Sequence, residues 1–218
     1  MALSVSQLTI QDQQGLLHIG PFNFNIEAGQ ILTLMGASGS GKSTLLNAIA
    51  GHLPPSFSYD GQILLQQQCL NTVPPHLRRI AILFQDDLLF PHLNIWQNLA
   101  FAIPRSVTGK ARKERALKVL KQLNLIELQN SYSAQISGGQ RARISMMRLL
   151  LSQPKAILLD EPFSKLDKNL RYDFRQFVFE QIQLQQIPAL MVTHDDADIP
   201  VNGSVITLNP KPQQGNLC

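Results

Sequence analysis

Alternation of apolar and polar residues marks the beginning of this chain. Residues 22–26 alternate strictly, so they predict a strand with one face that packs and one face that meets solvent or a ligand. Residues 6–10 and residues 62–65 are further strand candidates. We therefore expect the chain to start with antiparallel strands.

Continuous apolar runs indicate a different kind of strand. Residues 156–160 and 189–193 are apolar almost throughout, which is typical of strands buried on both faces of a parallel sheet. Residues 30–35 form a short, mostly apolar run followed by a glycine, and residues 80–84 are another strand candidate. These runs predict a parallel sheet at the centre of the fold.

Helical segments lie between the predicted strands. Good helix formers predict a helix over residues 42–50, closed by Gly51, and a second helix at about residues 170–185 joins the two buried runs. The middle third of the chain predicts three more helices, over residues 95–103, 111–123 and 139–152.

Length and composition suit one α/β domain with a small insertion, since the chain has 218 residues of which 44% are hydrophobic. We divide it into a core (residues 1–87 and 155–208), an inserted helical subdomain (residues 88–154) and a loose tail (residues 209–218) with no C-terminal regulatory domain. No apolar run approaches the roughly 18 residues of a membrane span, and the first residues lack the charged start and apolar block of a signal peptide. We expect a soluble protein in the cytosol.

The net charge does not indicate a particular binding partner, because the excess of lysine plus arginine over aspartate plus glutamate is small, 19 to 15. The densest basic stretch, residues 110–115, lies at the start of an amphipathic helix. We interpret it as a solvated helix face rather than a nucleic-acid patch, so no nucleic-acid partner is expected. Cys69 and Cys218 lie far apart and outside any metal-ligand pattern, which predicts unpaired thiols.

Residues 36–44 read GASGSGKST and fit the pattern G-x-x-x-x-G-K-[ST]; we call this segment the phosphate loop. A strand and a helix flank it, which favours phosphate binding over an inert glycine-rich turn. Lys42 would reach the β- and γ-phosphates, and the Ser43 hydroxyl would ligate magnesium. The candidate nucleotide contacts are Gly36, Ala37, Ser38, Gly39, Ser40, Gly41, Lys42, Ser43 and Thr44.

Two acidic residues follow a buried run. Asp160 ends the predicted strand, so its carboxylate is placed to hold magnesium opposite Ser43, and Glu161 is placed to polarise an attacking water. The alternative is a solvated turn, but a phosphate loop in the same chain favours catalysis. The sequence therefore predicts a magnesium-dependent NTPase.

A second glycine-rich turn precedes the helix predicted over residues 139–152. It consists of Ser137, Gly138, Gly139 and Gln140, and we call it the signature turn. Taken alone, Ser-Gly-Gly at a helix start is ordinary capping, with Ser137 as the N-cap. Its position beside a phosphate loop and an Asp-Glu pair favours a functional role.

In this order, GASGSGKST, Gln85, ISGGQ, LLLDEP, the SKLD of residues 164–167 and His194 resemble the ATP-binding subunit of an ABC transporter, of the binding-protein-dependent importer type. The resemblance covers nearly the whole chain. It implies an α/β fold: a P-loop NTPase core with a mostly parallel, RecA-like sheet, an N-terminal antiparallel β subdomain and an inserted helical subdomain. It also implies ATP and Mg²⁺ as cofactors and a head-to-tail dimer, in which the signature turn of one copy meets the γ-phosphate held by the other.

The same resemblance implies roles for single residues. Glu161 would be the general base, His194 would contact the γ-phosphate, and Asp167 would organise the contact between the two copies. Gln85 would link magnesium and the attacking water to a membrane partner. The implied metal ligands are Ser43, Gln85 and Asp160, and the implied nucleotide contacts include the signature turn and Asp167.

Residues 86–101 are similar to the stretch that receives a short coupling helix of the permease in importers. Leu88, Leu89, Phe90 and Trp96 do not fall on one helical face, which favours an apolar groove over the alternative, the internal core of the helical subdomain. The implied partners are a second copy of the chain, integral-membrane permease subunits and, indirectly, a substrate-binding protein. The implied location is peripheral, at the cytoplasmic face of the inner membrane.

The chain departs from the family pattern in the loop after the first strand. Members usually stack an aromatic ring on adenine there, but residues 10–17 contain none. We expect weaker preference for adenine, with an apolar contact from Leu16 or Leu17 instead. Lys165 and Ile136 also replace commoner residues, and neither change removes a catalytic group.

Two other functions remain open. An exporter subunit or a permease-free ABC ATPase keeps the same fold, although soluble members of that kind usually carry two cassettes or long coiled-coil insertions. A P-loop small-molecule kinase would need a phosphoryl acceptor and an arginine-rich lid, and it leaves the signature turn unexplained.

Overall fold

A computed structural model of the protein describes residues 2–208, apart from the side chains of residues 17 and 18. In chain order, its strands are β1 (Ala2–Asp12), β2 (Leu17–Glu27), β3 (Ile31–Gly36), β4 (Phe57–Leu65), β5 (Gln68–Cys69), β6 (Ile80–Leu83), β7 (Ala156–Asp160), β8 (Ala189–Thr193) and β9 (Ser204–Leu208). Its α-helices are α1 (Lys42–Ala50), α2 (Ile95–Ala102), α3 (Gly109–Gln122), α4 (Gly138–Leu151) and α5 (Lys168–Gln185).

The first sheet is antiparallel and has the strand order β2-β1-β4-β5. Its alternating strands place apolar residues on one face, so Leu3 and its cross-strand partner Ile26 are buried while Asn23 and Asn25 are exposed. This face packs on α1 and on the second sheet in one continuous apolar cluster. The predicted antiparallel start is confirmed.

The second sheet is parallel throughout, with the order β6-β7-β8-β3-β9. Ile157, Leu158 and Leu159 are fully buried because helices or the first sheet cover both faces. The carboxyl ends of β3, β7 and β8 meet at one edge, since these strands are neighbours and run in the same direction. Functional groups at this edge therefore come from segments far apart in sequence.

Three helices, α2, α3 and α4, lie between β6 and β7 and enclose an apolar cluster of their own. One side of α4 contributes Ile144 to that cluster, and another side contributes Met146 to the cluster beneath the parallel sheet. The helix that begins at the signature turn therefore packs both against the parallel sheet and among the inserted helices.

The α/β prediction with a parallel and an antiparallel sheet is confirmed, and every predicted helix and strand is present with ends that differ by a few residues. Strands β5 and β9 were not predicted. The predicted tail at residues 209–218, including Cys218, lies outside the described residues. Within residues 2–208, none of the helices combines the length and apolar character that a membrane crossing requires.

Candidate active site

The phosphate loop connects β3 to α1 at the carboxyl edge of the parallel sheet. Gly41, the N-cap of α1, has a left-handed backbone (φ 91°), and a Cβ atom there would lie 2.5 Å from Ile19 Cδ1. Gly39 is also left-handed (φ 79°). No side chain caps the first turn of α1, so its N–H groups and the helix dipole are directed at the loop, as an anion site requires.

Lys42 occupies the interior of the phosphate loop. The residue is only 6% exposed, and its Nζ donates hydrogen bonds to the carbonyl oxygens of Gly36 (2.7 Å) and Ala37 (2.9 Å). The ammonium group is therefore desolvated and held at the loop before any anion arrives, which strengthens its attraction for phosphate.

Ser43 and Asp160 join α1 to the end of β7. The Ser43 hydroxyl donates to Asp160 Oδ1 over 3.2 Å. Burial raises the pKa of the Asp160 carboxyl, while the Ser43 hydrogen bond lowers it, the negative charge of Glu161 raises it and Lys42 lowers it. Mg²⁺ is usually held by one or two protein oxygens together with waters and substrate phosphates, so this hydroxyl and carboxylate fit that ion.

Glu161 and His194 follow the neighbouring strands β7 and β8. His194 Nδ1 lies 3.2 Å from Glu161 Oε1. Glu161 has a left-handed backbone (φ 45°), and its carbonyl oxygen accepts a hydrogen bond from the Ser164 hydroxyl (2.9 Å). A non-glycine residue held in this region is strained, and such strain is concentrated at functional sites.

Gln85 completes this constellation. It lines an open cavity of about 370 Å³ together with Ser43, Asp160, Glu161 and the two neighbours of Gln85. Residues predicted from three separate motifs therefore face one space beside the phosphate loop.

The signature turn caps α4 in a reciprocal way. Ser137 Oγ accepts from the Gln140 N–H (3.3 Å), and Gln140 Oε1 accepts from the Ser137 N–H (2.9 Å). A Cβ atom on Gly139 would lie 2.8 Å from Leu170 Cδ2, so the turn packs closely on the first turn of α5. A Cβ atom on Gly138, by contrast, would meet Arg141 Nη2 in ordinary contact at 3.6 Å.

Asp167 stands beside this contact as the N-cap of α5, where its carboxylate accepts from the Leu170 N–H (3.1 Å) and is otherwise exposed. Among the described residues, no hydrogen bond or ion pair links the signature turn or Asp167 to the phosphate loop of the same chain. Within this described part, the signature turn and Asp167 thus have no direct bond to the phosphate loop of their own chain, although Gly138 and Gln85 line one cavity of about 260 Å³.

Two ion pairs at these segments were not predicted from the sequence. Arg171 binds the buried carboxylate of Asp198, and Lys165 binds Asp86, the residue after Gln85. The sequence places Arg171 one helical turn after Asp167, on the same face of α5, but this spacing does not identify Asp198 as its partner. Nothing in the pattern of the sequence indicated that Asp198 is buried.

An apolar groove lies next to Gln85 and has a volume of about 310 Å³. Leu88 and Phe101 line it and are 55% and 66% exposed, and Phe90 lines it beneath the Arg148 guanidinium group. The groove interpretation fits these residues.

Two of the residues assigned to the groove lie elsewhere. Leu89 is buried in the helical cluster, and Trp96 packs on that cluster with Lys113 over its ring. For Leu89 and Trp96 the internal-core alternative is therefore correct.

The segment expected to contact a base lies in the turn between β1 and β2. Leu16 is 60% exposed there, and its N–H donates to the Asp12 carboxylate (3.0 Å). The side chain of Leu17 lies outside the described residues. An exposed leucine is available for an apolar contact, whereas residues 10–16 offer no aromatic ring.

Comparison with known proteins adds an independent finding. A family model described as ABC transporter matches residues 19–164, a range that contains the phosphate loop, Gln85, the signature turn and the Asp160-Glu161 pair. A curated relative from Escherichia coli (strain K12), the uncharacterized ABC transporter ATP-binding protein YnjD, is 45% identical over 186 residues. The alignment covers 85% of this chain and 86% of that protein.

Proposed function

The chain belongs to the ABC transporter family as an ATP-binding subunit, and from that premise we propose that its ATPase depends on Mg²⁺ and powers an importer. The observation that carries the proposal is the convergence of Ser43, Gln85, Asp160 and Glu161 on one cavity beside the phosphate loop. These groups are the types that phosphoryl transfer to water requires: a metal ligand set, a base and a cradle of N–H donors.

The ligands for magnesium are Ser43, Gln85 and Asp160, which all line this cavity. When bound, Mg²⁺ neutralises charge on the β- and γ-phosphates. Burial of Asp160 supports this assignment, because a carboxylate whose ionised form is disfavoured by burial gains from a neighbouring divalent cation. Lys42 and the N–H groups of α1 bind the phosphates from the other side.

Glu161 accepts the proton of the attacking water, and His194 contacts the γ-phosphate. Support comes from their separation of 3.2 Å, which brings a base and a hydrogen-bond donor to the same phosphate. Glu161, whose backbone is left-handed, and Gln85 line the same cavity.

Two copies of the chain form the working unit. The signature turn of one copy completes the site of the other, and Asp167 lies at the contact between them. Support comes from the exposed N-cap at Asp167 and from the finding that, among the described residues, no hydrogen bond or ion pair joins these groups to the phosphate loop of their own chain. ATP then stabilises the dimer by mass action, because it binds groups from both copies.

The partner at the membrane is a permease, which inserts a short helix into the groove lined by Leu88, Phe90 and Phe101. We place the subunit peripherally at the cytoplasmic face of the inner membrane, with a substrate-binding protein as an indirect partner. Residues 88–154 form the helical subdomain that carries both the groove and the signature turn, so permease movement and dimer closure would be coupled there.

Replacing Glu161 tests this function. Glu161→Gln keeps the size of the side chain but removes the base, so phosphate release should fall at least 100-fold while ATP binding persists. The variant should then accumulate as an ATP-bound dimer, which light scattering after size exclusion detects. Glu180→Gln, an exposed change on α5, is the matched control and should hydrolyse ATP like the unmodified chain.

The outcomes separate the candidate functions. Normal hydrolysis by Glu161→Gln contradicts the assignment of the general base. A variant that stays monomeric with saturating ATP contradicts the shared site and favours a kinase, whose turnover would require an acceptor molecule.

A further inference from the structure

Asp198 is a buried carboxylate that the proposed chemistry does not use. It is 2% exposed and ends a single 3₁₀ turn (Asp196–Asp198) shortly after β8. Arg171 binds it through two hydrogen bonds, from Nε to Oδ1 (3.0 Å) and from Nη2 to Oδ2 (2.6 Å). Such a two-point contact fixes both partners in position as well as in distance.

The carboxylate also holds the residue before His194. The Thr193 hydroxyl donates to Asp198 Oδ2 (2.8 Å) and accepts from the Asp195 N–H (3.1 Å). Thr193 is itself buried. One hydroxyl therefore ties the backbone on both sides of His194 to Asp198.

Arg171 reaches the same turn a second time. Its Nη2 lies 2.9 Å from Asp195 Oδ2, so the guanidinium group joins Asp195 to Asp198 across the segment that carries His194. Hydrogen bonding to Asp198 raises the pKa of Arg171, and a backbone hydrogen bond from Ala197 lowers the pKa of Asp195, so both remain charged.

The other end of the network is the first turn of α5. The Arg171 N–H donates to the carbonyl oxygen of Asp167 (2.8 Å), and Arg175, one turn later, donates to the Ala197 carbonyl oxygen and lies 3.8 Å from Asp198. The helix that begins at Asp167 is thus fastened to the His194 segment at several points.

Burying a carboxylate is costly unless it is paired and hydrogen-bonded, and apolar side chains of similar volume often stabilise a fold as well. What the ionic arrangement adds is fixed geometry. The groups that bind Asp198 all belong to the two segments that carry Asp167 and His194. This arrangement indicates that Asp198 holds these two segments in a fixed relative position.

We propose that Asp198 is a positioning residue that holds His194 in its productive orientation through Thr193 and Asp195, and that Arg171 links this segment to the turn carrying Asp167. The proposal rests on the ATPase function proposed above. Its consequence is that a displacement of Asp167 at the subunit contact is transmitted to His194 of the same chain.

A double-mutant cycle with His194 tests the proposal. Asp198→Asn keeps the shape of the side chain but removes its charge, and we expect kcat for ATP to fall about 10- to 100-fold, with KM within twofold of the unmodified chain. In a His194→Ala background the same substitution should cause no further loss of kcat, because its effect passes through His194. Asp173→Asn, an exposed change on α5, is the control and should leave kcat and KM unchanged.

Thr193→Val is a second variant that removes only the hydroxyl, and it should reproduce the kcat loss and its absence in the His194→Ala background. It replaces Asp198→Asn should that variant fail to fold. A loss of the same size with and without His194, or a loss that appears in KM alone, overturns the proposal.

A readout without turnover separates this inference from the ATPase itself. In nucleotide-free protein, NMR should show that the His194 ring loses its contact with Glu161 in Asp198→Asn and Thr193→Val but keeps it in Asp173→Asn. An unchanged His194 ring in the first two variants overturns the proposal. An unmodified chain that hydrolyses no ATP contradicts the function instead, whatever the NMR result.

Discussion

The Ser43 hydroxyl donates a hydrogen bond to Asp160 Oδ1 over 3.2 Å, and this contact joins the first turn of α1 to the end of β7. The two residues are 117 positions apart in the chain. The oxygens thus come from two rigid elements of the fold, and the groups proposed to bind magnesium are fixed relative to each other before the ion arrives.

The Asp160 carboxylate should cost stability in the nucleotide-free protein. Burial raises its pKa above the ordinary value of 3.8, so the folded chain binds this proton more tightly than the unfolded chain does. The contribution of Asp160 to stability therefore falls as pH rises from about 3.8 through the raised pKa, and it is least favourable at neutral pH.

Asp160→Asn should accordingly raise the midpoint of thermal unfolding at pH 7 by on the order of 1–3 °C in chelator, since asparagine cannot ionise. The gain should disappear below the ordinary pKa of aspartate, and Mg-ATP should no longer stabilise the variant. Differential scanning calorimetry across pH measures this, with Asp173→Asn as the exposed control. A midpoint at pH 7 below that of the unmodified chain contradicts the prediction.

Gly41 should be required for nucleotide binding rather than only for folding. Alanine at φ 91° costs about 1–2 kcal/mol of backbone strain. Its Cβ would also press on Ile19 Cδ1 at 2.5 Å and so displace the N–H groups at the start of α1. We expect Gly41→Ala to weaken ATP binding at least tenfold in equilibrium titrations.

The matched control for Gly41 is Gly109→Ala. Gly109 is also left-handed (φ 55°), but no atom lies within 4 Å of a Cβ built there. It should lose a similar amount of stability and bind ATP normally. Equal loss of ATP binding in both variants would show that strain alone, and not the phosphate loop, is responsible.

The structure places two adjacent arginines in opposite environments. Arg78 is buried and donates to the carbonyl oxygens of Ala48 and Ile49 at the end of α1 (2.9 and 2.8 Å) and to that of Val73 (2.8 Å), whereas Arg79 is exposed. Arg78→Met removes all three of these hydrogen bonds and should lower the free energy of unfolding by about 2–4 kcal/mol. For Arg79→Met, denaturant titration should show a loss of at most about 0.5 kcal/mol in the free energy of unfolding. Similar losses of stability in the two variants would contradict this account.

These arginines illustrate what the sequence could and could not predict. Strand β7 was predicted at its observed bounds because Ile157, Leu158 and Leu159 are buried on both faces, and a continuous apolar run is the direct consequence of that environment. Strand β9 was missed because it lies at the sheet edge with Val205 exposed, so little of its burial is visible in its composition. Nothing in two identical neighbouring residues distinguishes Arg78 from Arg79.

The same division applies to the candidate site. The motifs were sufficient to predict that Ser43, Asp160 and Glu161 lie at one cavity, because the strands of a parallel sheet end at the same edge. The contacts of Asp198 depend on a short 3₁₀ turn and on side-chain orientation, which periodicity does not encode. Leu88 and Leu89 were assigned to one surface for the same reason, although Leu88 is 55% exposed and Leu89 is buried.

Base selectivity should be low in the unmodified chain and should increase when an aromatic ring is supplied. Leu16 is 60% exposed in the turn between β1 and β2, where an aliphatic side chain offers contact but no stacking. We expect comparable kcat/KM for ATP and GTP. Leu16→Tyr should tighten ATP binding roughly tenfold, because base stacking contributes about 1–3 kcal/mol.

The control for Leu16 is Leu77→Tyr, which adds the same ring at a leucine that is also 60% exposed but lies on the 3₁₀ turn before β6. It should leave affinity for both nucleotides unchanged. Competition titrations with ATP and GTP measure the two variants side by side. Strong ATP preference in the unmodified chain would mean that another group recognises the base, and an unchanged affinity in Leu16→Tyr would place the base away from this turn.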